Sequence, residues 1–263
     1  MEYRKQKEIE HYDEKAEELM KKGYLVGTEG DFEGFKPNDL SSFSFCYKLL
    51  EENCKGKKVL DYGCGNGVHT VFLARTGAEK VIAIDLSEKS LKIAREKAKR
   101  EGMEGKIEFL AMDCEKLEFA GNSFDVVFDG GSFSSLDIEK VYTEIARVLK
   151  SGGILIGIET FGHNPVANLK RKLNKATGKR TEWAEGHIFN LNSLKLAKKY
   201  FGEIKAWHFH IVSFLAIPFL EIPGGKIILK ILEVIDRALL SIPFLRKYGF
   251  KAVFIMKKTI KYV

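Results

Sequence analysis

Three glycines at alternate positions, Gly63, Gly65 and Gly67, follow the apolar pair Val59-Leu60 and the acid Asp61. A short apolar run that breaks at glycine predicts a buried strand ending in a tight turn. Glycines in that turn permit positive φ and let a ligand reach the backbone with no Cβ in the way. A helix is expected next, from Val68 to Arg75, with its first amides aimed at the ligand. The run 81–84 reads as a second buried strand, closed by Asp85. In doubly wound sheets ligands bind at the carboxyl ends of strands, and an acid about 20 residues past the glycines accepts ribose hydroxyls. The stretch therefore reads as a nucleoside site.

The spacing narrows the nucleoside. A dinucleotide loop needs G-x-G-x-x-G, and here the third glycine arrives one residue early, with Val68 after it. Asp61 would repel a pyrophosphate, whereas a ligand with an ammonium and a sulfonium would be attracted to it.

Residues 59–67 resemble, at every position, the first motif of the class I S-adenosylmethionine (SAM)-dependent methyltransferases, apolar-apolar-acid-x-G-x-G-x-G. The similarity continues in order. Phe109 to Cys114 resembles the third strand, Phe124 to Asp129 the fourth, and Val148 to Gly153 the LK-x-GG turn before a fifth strand at Ile154 to Ile158. The resemblance covers residues 45–160. It implies an α/β fold: a seven-stranded, doubly wound, mostly parallel Rossmann-like sheet, with strand six at Ile204 to Val212 and an antiparallel strand seven at Ala252 to Lys258. It also implies SAM as methyl donor, with S-adenosylhomocysteine as product. The cofactor-binding residues it implies are Asp61, Gly63, Cys64, Gly65 and Gly67 around the methionine end and Asp85 on the ribose. Asp113 with Cys114 would meet the adenine amine, Met112 or Leu86 would lie against the ring, and Asp129 closes the set. Tyr12-Asp13 with Ala16 resembles the YD-x-x-A opening helix of quinone-type relatives, where the aromatic covers the methionine end; the alternative is a surface helix with Tyr12 merely packed. The loop Gly130 to Ser135 offers room and hydroxyls but no evident base.

The chain divides into an N-terminal helical cap (1–52), a SAM-binding core (53–160) and an accessory part (161–263) that completes the sheet and carries an insertion at 213–250. Helices are expected over 2–22, 40–52 (capped by Asn38 or Asp39), 87–102, 138–149 and 191–200, with loop over 27–37. Charge is split. Residues 161–263 hold 19 Lys and Arg against 6 Asp and Glu, while residues 1–160 hold 24 against 30. The basic part is the one suited to an acidic partner, and Lys170 to Arg180 is its densest run. Cys46, Cys54, Cys64 and Cys114 show no metal-ligand spacing and suit reduced thiols, so no metal is expected and a cytoplasmic location is. The N-terminus lacks a signal-like apolar core. No apolar run reaches the length of about 18 residues that a spanning helix needs.

The insertion is the least ordinary part. Residues 227–240 place Lys230, Glu233 and Arg237 on one helical face and apolar residues around the rest, with Phe244 and bases after them. That composition suits a helix in a membrane interface, a lid over a lipophilic acceptor, or an extra packed or dimer-forming helix. For catalysis, His163 follows the fifth strand and His187 lies in the accessory segment, so these two are the candidate bases. His69, His208, His210, Glu159 and Tyr12 stand behind them, and transfer by positioning alone needs no base. The acceptor is expected to be small and lipophilic, with an anionic group as an option, and an anionic membrane surface is a possible partner. A nucleic-acid acceptor is the alternative raised by the basic part, disfavoured by the lack of an N/D-P-P-Y/F motif and of a Pro-Cys pair. A non-catalytic, membrane-docking SAM module is a third reading. Oligomeric state is open.

Overall fold

The structure is a computed structural model that describes residues 2–21, 40–176, 181–220 and 222–259, without the side chains of 170 and 173–176. The expected 27–37 loop, the Asn38 or Asp39 cap, Lys179, Arg180 and the side chains of Lys170 and Lys175 lie outside the described residues.

Seven strands form one sheet: β1 (Lys58–Tyr62), β2 (Lys80–Asp85), β3 (Ile107–Ala111), β4 (Phe124–Asp129), β5 (Leu149–Thr160), β6 (Glu203–Phe209) and β7 (Lys251–Lys257). Their order is β3-β2-β1-β4-β5-β7-β6. All neighbours are parallel except β7, which runs antiparallel to both β5 and β6. This is the expected seven-stranded, doubly wound α/β sheet. The order reverses between β1 and β4, and in such sheets that reversal opens the ligand crevice.

The strands are apolar on both sides because helices cover both faces. Alternation then sends Val59, Val81 and Val126 to one layer and Leu60, Ile82 and Val127 to the other. The first layer is closed by α2 (Ser41–Cys54), which contributes Phe43 and Leu50. The second is closed by α5 (Ile138–Val148), which contributes Val141, Tyr142 and Ile145. The flanks carry α1 (Tyr3–Lys21), α3 (Thr70–Arg75) and α4 (Glu88–Arg100) on the N-terminal side. The accessory part adds α6 (Pro165–Ala176), α7 (Glu182–Gly186), α8 (Leu191–Ala197) and α9 (Gly225–Ser241).

Four departures from expectation have physical causes. The helix after the glycines begins at Thr70 and has only six residues, so it supplies no extended amide terminus. The LK-x-GG turn lies inside β5: the register jumps from Phe124↔Leu149 to Val126↔Ile154, and Gly152 takes φ +74° in the excursion. Strand six stops at Phe209, not Val212. His210 turns left-handed (φ 64°) and is buried, bonded through Nδ1 to Ser213 Oγ (2.7 Å) and through Nε2 to Ser42 Oγ (2.9 Å).

The fourth departure is the facing of α9. The expected charged face is divided. Glu233 turns inward, accepting the Ser41 N–H at 3.0 Å, and Asp236 is buried, accepting the N–H groups of Val212 (2.8 Å) and Ser213 (3.1 Å). Ile227, Ile228, Ile231, Val234 and Ile235 are exposed instead. Backbone donors freed by the irregular 210–213 turn need acceptors, which Asp236 supplies, while Glu233 takes the N–H of Ser41 at the start of α2.

A cavity at the sheet reversal

At the carboxyl ends of β1, β2 and β4 lies a cavity of about 370 Å³, within the usual range for small-ligand sites. Its floor is Asp61, Gly63, Cys64, Gly65 and His69; one wall is Asp85, Leu86, Asp113 and Cys114; the opposite wall is Gly130 to Ser132; and α1 roofs it with Lys5, Glu8, Tyr12 and Ala16.

The local sequence explains each placement. Gly63 sits at φ +67°, and a Cβ there would fall 2.7 Å from the Cβ of Ser132. The β1 exit and the loop after β4 therefore touch at that residue. Gly65 has nothing within 4 Å of a Cβ, so its backbone is open to the cavity. Its N–H donates to Asp85 Oδ2 at 2.8 Å, while Asp85 Oδ1 accepts the Ser87 N–H at 2.9 Å. The acid that ends β2 thus braces the loop that ends β1.

The roof is fastened by charge. Arg4 donates to both oxygens of Glu115 (2.6 and 2.7 Å) and to the Ser135 carbonyl (3.1 Å), and its guanidinium lies 4.4 Å from the Trp183 ring centre. Lys5 donates to Asp113 Oδ2 at 2.5 Å. Tyr12 OH is 3.1 Å from Ser135 Oγ. Such partly buried, charge-assisted pairs are stronger than surface pairs.

The electrostatics favour a cationic guest. Burial pushes Asp61 up to about 7, against the hydrogen bond from Thr70 Oγ1 at 2.6 Å, with Asp129 and Asp85 nearby adding to the rise. Burial also raises Asp85, opposed by the N–H groups of Ser87, Gly65 and Leu86. A ligand with positive charge would relieve this crowding of carboxylates. An ammonium-bearing sulfonium nucleoside fits that demand, and the open Gly65 backbone leaves space for it.

Several expected site residues are not on the cavity wall. Met112 is buried in the core layer with Leu60 and Tyr62, so only Leu86 is left to face a ring. Gly67 packs against α4, where a Cβ would meet Ala94 Cβ at 2.8 Å. Asp129 is fully buried behind the wall, accepting from the N–H (2.9 Å) and Oγ (2.7 Å) of Ser132. Cys64 and Cys114 do line the cavity, yet burial raises both thiols well above their usual range.

Both candidate bases are elsewhere too. His163 packs edge-on to Phe161, and its Nε2 accepts the Leu191 N–H at 3.4 Å. Burial, with Lys247 nearby, lowers its pKa. His187 is stacked on Trp183, ring centres 3.6 Å apart, with Nδ1 bonded to the Trp183 carbonyl. His163 is engaged by the start of α8 and His187 by its own turn, and neither reaches the cavity wall.

His69 does. Its ring stacks on Phe43 (5.8 Å), meets Phe128 edge-on (5.4 Å), and bonds Tyr47 OH through Nδ1 at 2.8 Å. A Cβ on Gly130 would come within 2.7 Å of His69 Cδ2, so the small residues after β4 make room for this ring. Burial holds His69 down to about 3, neutral at physiological pH. In sequence it is one residue of a loop helix, and nothing there separates it from the other histidines. Among the described residues no cluster of three or more His, Cys, Asp or Glu side chains has the geometry of a metal site.

Residues 59–153 match the methyltransferase domain family. The chain is 35% identical over 131 residues to the ubiquinone/menaquinone biosynthesis C-methyltransferase of Cronobacter sakazakii, covering 46% of this chain and 52% of that protein. The chain thus spans about half the length of that relative. The fold is similar to that of an N-methyltransferase from Haemonchus contortus in complex with phosphomonomethylethanolamine and S-adenosylhomocysteine (TM-score 0.59, 20% identity, 83% of this chain, 53% of the other). It is also similar to geranyl diphosphate C-methyltransferase from Streptomyces coelicolor A3(2) (TM-score 0.56, 14% identity, 83% and 79%).

Proposed function

Because the chain carries a class I, Rossmann-like SAM-dependent methyltransferase domain similar to the quinone-type branch, we propose that it transfers the SAM methyl group to a small lipophilic acceptor. The observation that carries the reading is the cavity at the β1–β4 reversal, with buried Asp61 on its floor, half-buried Asp85 and Asp113 on one wall, and α1 as its roof.

When bound, SAM would supply a methyl group on a positively charged sulfur, with S-adenosylhomocysteine as the departing thioether. The chain's own residues bind and orient. Asp61 and the 63–65 backbone hold the ammonium end, Asp85 accepts the ribose hydroxyls, Asp113 meets the adenine amine, and Leu86 packs on the ring. Tyr12 and Ser135 close the rim above the methionine end. In-line attack needs the acceptor within about 3–3.5 Å of the methyl carbon, so alignment by these walls is the main requirement. His69, neutral and held by Tyr47, is the histidine that lines the cavity where His163 and His187 do not, and with its Nδ1 bonded and its Nε2 buried it shapes the wall. The acceptor we infer is apolar in the main, and the exposed apolar helix α9 supports work at a membrane surface from the cytoplasmic side. Among the described residues no helix is long and apolar enough to cross a membrane.

A tritiated-SAM transfer assay against lipid, small-molecule and RNA fractions tests the reading. Label is expected in the organic-extractable fraction. Label in RNA alone would overturn the acceptor class, and no transfer to any fraction would overturn the activity.

The raised Asp61 gives a second expected result. Unfolded Asp loses its proton near 3.8 and folded Asp61 near 7. Between those values the folded chain holds one more proton than the unfolded, so this group's contribution to stability falls as pH rises from about 4 to about 7. Binding an ammonium needs the ionised form. SAM affinity should therefore rise by roughly tenfold between pH 6 and pH 8, with proton release on binding at pH 6. Titration calorimetry in two buffers of different ionisation enthalpy measures both. A flat profile, or the same profile in Asp61→Asn, rejects the role.

A further inference from the structure

We propose that α9 and the segments flanking it form a docking face for an anionic lipid bilayer, with the helix lying in the plane of the headgroups. The inference deepens the lipophilic-acceptor reading, and rests on it only for the purpose of docking; the binding itself is independent of SAM.

At 100° per residue, α9 divides into three sectors. Leu229, Leu232, Glu233 and Asp236 point inward, toward α2 and β6. Ile227, Ile228, Ile231, Val234 and Ile235 form a continuous outward stripe, with Ile227 65%, Ile231 57% and Val234 55% exposed. Lys226, Lys230 and Arg237 line one edge of that stripe and are exposed. Exposed apolar residues continue past both ends, at Ile222 and at Ile242 and Phe244, followed by exposed Arg246 and Lys247.

The position of the acids decides the occupant. Among the described residues of 222–248 the only acids are Glu233 and Asp236, and both are turned inward onto backbone N–H groups. Among the described residues of 222–248 the outer surface therefore carries bases and apolar side chains and no acid. A second copy meeting this face through a two-fold axis would oppose like charges, with no acid among the described residues of 222–248 turned outward to offset them. A nucleic acid would answer the bases but leave the apolar stripe in water. An anionic bilayer answers both: apolar side chains enter the headgroup–acyl boundary, and each base near the surface adds about 1 kcal/mol of attraction to anionic lipid. At 17 residues, and with its inward face committed to α2 and β6, α9 would lie on the membrane without crossing it.

The test is co-sedimentation of the full chain with phosphatidylcholine vesicles, with and without about one third phosphatidylglycerol. Binding is expected with the anionic vesicles at low salt, and a drop of at least tenfold with neutral vesicles or at about 0.5 M salt. Ile231→Asp should lower partitioning by tenfold or more, and Lys230→Glu/Arg237→Glu by a similar factor. Both are surface changes, so thermal melting and the SAM-induced melting shift should match wild type. Docking is overturned by no binding at low salt, by equal binding to neutral vesicles, or by Ile231→Asp binding as wild type does. It is also overturned by a dimer in analytical ultracentrifugation that Ile231→Asp dissociates while vesicles stay unbound. If vesicles bind and no methyl transfer is found, the docking face stands and the catalytic reading fails; the reverse pattern separates them the other way.

Discussion

Replacing Asp85 with alanine is expected to weaken SAM binding by about a hundredfold, since hydrogen bonds to a charged group are worth about 1.5–3 kcal/mol each and at least two are lost. The carboxylate has two duties. It braces the glycine loop through the Gly65 N–H (2.8 Å) and its own turn through the Ser87 N–H (2.9 Å), and its place at the end of β2 suits it to ribose hydroxyls. Asp85→Asn retains one acceptor oxygen and the side-chain shape, so it should lose about tenfold, between wild type and alanine. Calorimetric SAM titration gives the affinities, and melting without SAM separates loop damage from lost ligand contacts. A nucleoside site centred elsewhere would leave Asp85→Ala within twofold of wild type, and that result would falsify the assignment.

The second large effect is on stability. Gly157 lies in β5 directly opposite Phe254 in β7. A Cβ at 157 would fall within 3.0 Å of three carbons of the Phe254 ring, which is fully buried and stacked on Phe189 at 4.9 Å. The ring lies across the glycine and has no free space to retreat into. Gly157→Ala should destabilise the fold by about 2–3 kcal/mol, the usual scale of overpacking. The melting temperature should fall by roughly 5–10 °C for a chain of this size. Phe254→Leu removes the clashing end of the ring and itself opens a cavity. The double variant should therefore be more stable than the sum of the two single effects by at least about 1 kcal/mol. Additivity within about 0.5 kcal/mol would mean that the two residues do not press on each other.

These two sites differ in how far they can be read from the chain. The place of Asp85 is legible because it depends on local order: strand, acid and a fixed spacing from the glycines. Gly157 reads only as one residue of a fifth strand. Its partner is almost a hundred positions away, on a strand whose register no local pattern sets. Met112 and Leu86 show the same divide at smaller scale. Both follow strands that end at the cavity, but Met112 falls among core side chains while Leu86 falls on the open wall.

The histidines make the point for chemistry. Proximity in sequence to the fifth strand favoured His163, and its turn instead bonds it to the start of α8. His69 reaches the wall because Gly130, sixty residues later, has no side chain to block it. The insertion makes it for surfaces. Helical spacing separates charged from apolar residues on α9, but not which side faces the protein. Unsatisfied N–H groups at Ser41, Val212 and Ser213 draw Glu233 and Asp236 inward and leave the isoleucines outside.

By itself the sequence placed the glycine loop: the early third glycine, Asp61 before it and Asp85 after it are consecutive constraints on one βαβ unit, and backbone sterics with local charge are enough to read them. The apolar runs also mark the buried strands of the core, and the resemblance they carry implies the seven-stranded sheet that the structure has. Only the tertiary structure decided which histidine meets the cavity, which glycine carries a ring, and which face of α9 looks outward. Those depend on contacts between residues distant in the chain, where the competition is for space and for hydrogen-bond partners that no local pattern records.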